Sequence, residues 1–149
     1  MDIRPVEARD YAGWRPLWDG YNAFYERKGP TAVSEETTQT TWRRFLDPGE
    51  PMFALVAERD GRLAGLAHYL YHRNTAMQAQ VCYLQDLFAD PAERGTGVGR
   101  RLIEAVYAAA KQAGSPRVYW QTHESNATAQ LLYDRIAAKS GFVVYRKDL

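Results

Sequence analysis

The sequence contains one cysteine, Cys82, so no intrachain disulfide can form. Its neighbours Val81, Leu84 and Leu87 read as strand, and the thiol is expected to be buried and inert rather than nucleophilic. Neither sign of charge is in excess, with 19 Lys and Arg against 18 Asp and Glu. Such a balance lacks the basic surface whose released counterions drive sequence-independent nucleic-acid binding, so no nucleic-acid partner is expected. No apolar run approaches a membrane span and the N-terminal residues hold no apolar signal core, so no membrane partner is expected and a cytoplasmic location is. His68, His72 and His123 have no carboxylate or thiol at ligand spacing, so no metal is expected. A nucleotide-triphosphate loop ending in Gly-Lys-Ser/Thr is missing. A dinucleotide fingerprint is missing too, because after Gly95 and Gly97 the third glycine falls at 99 and position 100 is Arg.

What is present fits one domain over residues 1–149, with 46% hydrophobic residues and 13% aromatic ones. Ile3 to Val6 reads as a short strand that Pro5 confines to an edge or an end. From Asp10, a plausible N-cap, to about Arg27, the residues Trp14, Leu17, Trp18, Tyr21, Phe24 and Tyr25 recur at helical spacing. Ser34 opens a second helix with Trp42, Phe45 and Leu46 on one face, stopped by Asp47-Pro48-Gly49. Met52 to Glu58, the turn Asp60-Gly61 and Leu63 to His72 make a hairpin, and Val81 to Phe88 is a third long strand. A helix from Gly97 to Gly114 follows, then a strand over Arg117 to His123, a helix capped by Asn126 and running to about Lys139, and a closing strand over Phe142 to Tyr145. The order β-α-α-β-β-β-α-β-α-β predicts a single mixed α/β sheet flanked by helices.

Leu84 to Ile103 is the stretch with chemistry in it. A strand, the turn Arg94-Gly95-Thr96-Gly97-Val98-Gly99-Arg100 and a helix start follow one another there. The first N–H groups of that helix have no intrahelical partner and the helix dipole adds partial positive charge, so the turn is a cradle for an anion. Downstream stand Asn126-Ala127-Thr128-Ala129, then Leu132-Tyr133, then Gly141-Phe142.

These two segments together resemble the GNAT superfamily of acyl-CoA-dependent N-acyltransferases. That family writes its pyrophosphate loop Q/R-x-x-G-x-G/A, here Arg94-x-x-Gly97-x-Gly99, and its second signature N-x-x-A-x-x-L-Y ending in Gly-Phe. The resemblance implies a single GNAT-like α/β domain with a mixed, mostly antiparallel sheet, and acetyl-CoA as cosubstrate. It places the pyrophosphate on Arg94 to Arg100. It runs the pantetheine arm between the strands of residues 81–88 and 117–123, with Asn126 and Ala129 beside it. The backbone N–H groups of Leu87, Phe88 and Ala89 are implied to polarise the thioester carbonyl, and Tyr133 to protonate the departing thiolate, as well as to contact the cofactor. Tyr25, with Tyr21 and Glu26 near it, and Gln85 and Trp120 fall on the acceptor side. Many relatives are homodimers, so a homodimer is expected.

The general base is the open point. An alkylammonium holds its proton at neutral pH, and freeing it costs about 4 to 5 kcal/mol unless the site helps. Tyr83 to Phe88 looks closest to the polyamine- and histone-acetylating branch, which carries Glu where this chain has Gln85, and Gln cannot take a proton. Asp86 stands next to it but faces the other way if the strand is regular, unless a bulge or a water chain connects it to the acceptor. Glu124 is the other carboxylate within plausible reach, and either acid is equally readable as a structural hydrogen-bond acceptor. The expected activity is direct acetyl transfer from acetyl-CoA to a primary amine, on a small amine, polyamine or amino acid, or on a protein lysine or N-terminus. The alternative that Gln85 leaves open is a CoA-binding regulatory or scaffold module with little or no turnover.

Overall fold

The computed structural model describes residues 1–149. Five strands form one sheet in the order β1-β2-β3-β4-β5: Asp2–Pro5, Met52–Arg59, Arg62–His72, Val81–Ala89 and Val118–Tyr119. Neighbours are antiparallel except β4 and β5, which run parallel across the helical crossover. The four helices are α1 (Tyr11–Phe24), α2 (Glu35–Leu46), α3 (Val98–Gln112) and α4 (Ala127–Ile136).

Because helices cover both faces, the middle of β2 and β3 is buried on both sides: Ala54 to Ala57 and Ala64 to Tyr69 form unbroken buried runs. One face carries Leu55, Ala57, Ala67, Cys82 and Leu84 against the apolar stripe Val98, Leu102, Val106 and Ala110 of α3. The other carries Leu66 against Trp14, Leu17, Trp18 and Tyr21 of α1 and Trp42 of α2. Small residues set how closely the layers approach. A Cβ at Gly65 would lie 2.7 Å from Val98 Cγ1 and 2.8 Å from the Phe88 carbonyl oxygen, so α3 rests directly on the β3 backbone. Cys82 is fully buried and desolvation pushes its thiol up to about 11, which makes it an inert core residue.

Four local expectations change. Asp10 precedes α1 without capping it; its carboxylate accepts from both ends of the Arg4 guanidinium at 2.7 and 2.9 Å and from the Glu7 N–H at 2.8 Å. The strand expected over Arg117 to His123 shrinks to Val118–Tyr119. The final helix stops at Ile136 rather than about Lys139. The closing strand over Phe142 to Tyr145 does not form, and its Phe and Tyr are 90% and 92% exposed. A strand needs a ladder partner for its N–H and C=O groups, and β5 offers only two residues. Ser34 does cap α2, accepting from the Thr37 N–H at 3.1 Å, and Asn126 caps α4, accepting from the Ala129 N–H at 3.4 Å.

Candidate active site

The ladder between β3 and β4 slips by one residue. His68 pairs with Asp86 and Tyr69 with Leu84, so Gln85 has no partner and forms a bulge. Side chains alternate along a strand, and one extra residue turns everything beyond it over. Asp86, which regular alternation would aim at α3, therefore meets His68 on the face of α1 and α2. Its Oδ2 lies 2.8 Å from His68 Nδ1, and Trp14 Nε1–H donates to His68 Nε2 at 3.0 Å. Indole N–H can only donate, so Nε2 accepts and the ring proton sits on Nδ1, directed at the carboxylate. Asp86 and His68 are 7% and 3% exposed, so the pair is oriented from behind and open to solvent only through a narrow face.

Tyrosines surround that face. Tyr21 stands against Asp86, and burial first, then the adjacent carboxylate, raise its phenol well above the usual range. Tyr25 and Tyr83 are raised too, by burial and more weakly by Asp86, which places both rings on the same side. Tyr83 stacks on Tyr119 at 4.9 Å between centroids. Helix α1 ends beside this cluster in a tight reversal: the Glu26 N–H donates to Ala23 O and the Arg27 N–H to Asn22 O, both at 3.0 Å. The reversal needs a left-handed residue, and Glu26 supplies it at φ 54° where glycine would be less costly. It lays the Arg27 guanidinium over the Tyr21 and Tyr25 rings, 5.3 and 5.4 Å from their centroids. An exposed cation–π contact is worth about 0.5 to 1 kcal/mol, which does not exceed the roughly 1 to 2 kcal/mol of a left-handed non-glycine residue.

On the far side of the bulge, β4 and β5 pair only at Cys82 with Val118 and Tyr83 with Tyr119, and then separate. From Leu84 to Ala89 the edge of β4 that faces away from β3 has no strand beside it, which leaves backbone donors and acceptors for an extended ligand. Leu87, Phe88 and Ala89 lie on this stretch, half-buried. The glycine turn follows. Gly97, left-handed at φ 86°, ends the turn, and no side chain caps α3, so the N–H groups of its first residues, Val98, Gly99 and Arg100, have no capping acceptor. Gly95, at φ 79°, and Gly97 have nothing within 4 Å of where a Cβ would be, and that space lies on the outer, exposed side of the turn. Buried Glu93 pins the turn from beneath: it accepts from Arg59 at 2.8 Å and Arg62 at 3.0 Å, and the Thr96 hydroxyl donates to its carbonyl at 2.6 Å. Arg94 is exposed without an ion pair, and Arg100 is paired only with exposed Glu104 at 2.8 Å.

Tyr133, on α4, stands between the turn and the tyrosine cluster. Its phenol is pushed up to about 12, chiefly by burial and less by Tyr25, which ties it to the tyrosine cluster. Trp120 meets it edge-on at 5.4 Å and belongs to the packing that fixes the ring. Two further residues of the sequence-based set are exposed and make no side-chain hydrogen bond. Gln85 is the exposed bulge residue, and Glu124 is exposed in the turn before α4, with only its backbone carbonyl engaged, by Gln130 at 3.1 Å. Trp14, Tyr83, Tyr119 and Arg27 join the site without having been singled out for it, and His68, weighed only as a metal ligand, joins as the partner of Asp86. Helical periodicity marks Trp14 only as core, and no sequence signal separates a packed aromatic from one that aims a histidine. His72 lies at the edge of the cluster, 2.7 Å from the Tyr119 hydroxyl.

Residues 14–138 match the sequence model of the Acetyltransferase (GNAT) family. The chain is 36% identical over 148 residues to the D-amino-acid N-acetyltransferase HPA3 of Saccharomyces cerevisiae, covering 98% of this chain and 89% of that one. It is 29% identical over 147 residues to the uncharacterized N-acetyltransferase YhfO of Bacillus subtilis, covering 97% and 95%. Among solved structures, the aminoglycoside N-acetyltransferase AAC(6')-Iy in complex with CoA superposes with a TM-score of 0.83 at 19% identity, over 99% of this chain and 93% of that one, which is a likeness of fold.

Proposed function

The chain belongs to the GNAT acetyltransferase family, and from that premise we propose that residues 1–149 act as one N-acetyltransferase domain that moves the acetyl group of acetyl-CoA directly onto a primary amine. The observation that carries the reading is the convergence of three parts on the β4 bulge. They are an open strand edge for an extended chain, an uncapped helix N-terminus for an anion, and a carboxylate turned toward the tyrosine-lined side where an amine would enter. The residues fit acetyl-CoA as a substrate. Gly95 and Gly97 leave the outer side of the turn clear, and the N–H groups of Val98, Gly99 and Arg100, with Arg94, meet the charge of a pyrophosphate. Asn126 and Ala129 border the pantetheine path at the start of α4.

The steps follow from the placement. Asp86, held by His68, attracts the ammonium and takes its proton directly or through a water, which frees the lone pair. The nitrogen attacks the thioester carbon while N–H groups along Leu87 to Ala89 stabilise the oxygen as it gains charge. As the C–S bond breaks, the phenol of Tyr133 gives its proton to the thiolate, and the second proton, which the nitrogen sheds on becoming an amide, passes through solvent to restore the phenol. At about 12 that phenol is a weak acid, so the transfer relies on the same burial raising the proton affinity of the sulfur.

A small amine or an amino acid is the acceptor we favour, and the yeast relative's activity on D-amino acids supports it. The polyamine branch suggested by Tyr83 to Phe88 is the second choice, since exposed Gln85 occupies its acid position. Release of free thiol from acetyl-CoA over a panel of amines, amino acids and polyamines tests the transferase. CoA binding with no thiol released from any of them would favour a scaffold module instead. We further propose a homodimer, supported by the exposed apolar run Phe142 to Tyr145, and sedimentation velocity at micromolar concentration should return twice the chain mass.

A further inference from the structure

Resting on the transferase reading, we propose that Arg27 sets acceptor choice by gripping the carboxylate of an α-amino acid whose ammonium end lies at Asp86. The two charges flank one ring. The hydroxyl end of Tyr21 stands against Asp86, and the Arg27 guanidinium lies over the face of the same ring, 5.3 Å from its centroid. An α-amino acid carries its two charges on adjacent atoms of a short backbone. With a hydrogen bond at each end it spans on the order of 8 Å between the protein groups, a distance that one intervening tyrosine ring allows.

Arg27 is aimed and unspent. Its Nη1 donates to Asn22 Oδ1 at 2.9 Å, and Asn22 is itself fixed, buried and donating to the Trp18 carbonyl at 2.9 Å. No carboxylate of the protein pairs with the guanidinium, whose one side-chain partner is the neutral amide of Asn22. The donors left free match a planar carboxylate two at a time. The left-handed backbone at Glu26 is what folds this side chain back onto the rings. Local strain kept where it points a charge into a candidate site is the pattern of a binding device. An acceptor lacking the carboxylate would leave Arg27 unpaired and gain nothing from it.

Acceptors that differ only in the carboxylate provide the test: leucine against 3-methylbutylamine, and phenylalanine against 2-phenylethylamine, each amino acid in both enantiomers, with acetyl-CoA and the full chain. Arg27→Gln should lower kcat/KM for at least one enantiomer of the amino acids by about 10- to 100-fold, mainly through KM, as expected for a lost charge-assisted pair. The matched amines should change by no more than about twofold, which also shows that the variant is folded, and Arg27→Lys should recover part of the loss. Equal losses on amino acid and amine, or none on either, would overturn the clamp while leaving the transferase standing. An absence of thiol release with every acceptor would overturn the transferase and the clamp together.

Discussion

Asp86 and Tyr133 divide the proton traffic of the proposed reaction, and their surroundings make that division testable side chain by side chain. Asp86 is a buried carboxylate steered by a neutral imidazole, which is itself steered by an indole. Asp86→Asn keeps the shape and removes the charge, so kcat/KM should fall by about 10²- to 10⁴-fold, the usual reach of a general base. The dissociation constant of CoA should stay within about threefold, because that ligand is read by the turn and not by Asp86. A change confined to CoA affinity would remove Asp86 from the chemistry. For Tyr133→Phe, kcat should drop by about 10²-fold with CoA binding retained. Burial holds the Tyr133 phenol at about 12, so the acid stays protonated across the working range. The wild-type rate should therefore rise as the amine loses its proton and show no descending limb before about pH 11. A descending limb near pH 9 would assign the acid to another group.

At the scale of elements, the turn into α3 and the bulge in β4 differ in how far the sequence reveals them. Glycine spacing, the arginines and the helix start are local features, so the turn over Arg94 to Arg100 and the start of α3 are legible, as are the caps at Ser34 and Asn126. The bulge is a property of a pair of strands. Nothing within Tyr83 to Phe88 states that Gln85 will lose its partner in β3, and the side on which Asp86 emerges depends on that loss alone. The reversal at Glu26 is hidden for a related reason, since a glutamate does not advertise left-handed backbone. The strand expected over Phe142 to Tyr145 shows the opposite error: a strand-like composition without an edge to pair with. The cradle itself is checked with Gly97→Asp. The new side chain adds negative charge where an anion should sit and strains a φ of 86°. CoA affinity should fall by at least about 10²-fold while the far-ultraviolet circular dichroism of the folded chain is unchanged. Retained binding would move the pyrophosphate elsewhere.

For the whole molecule, a core rich in aromatics and holding one thiol predicts how stability responds to alkali. Desolvation raises the Cys82 thiol from 9.0 to about 11, and the Tyr71 and Tyr133 phenols from 10.0 to about 12. In each case the folded state holds the proton more tightly than the unfolded chain, so the stabilisation is fully present below the unfolded value and is lost as pH rises through the folded one. The melting temperature should be nearly flat from about pH 7 to 9, begin to fall as the unfolded thiol ionises, and fall faster from about pH 10 to 12 as the unfolded phenols follow. Cys82→Ala separates these contributions. The variant should melt lower at pH 7, because it leaves space in the fully buried cluster around Leu84 and Leu102, but its decline should start near pH 10 instead of 9. An unshifted onset in the variant would mean that the thiol is reachable by solvent in the folded chain, contrary to its complete burial between β4 and α3.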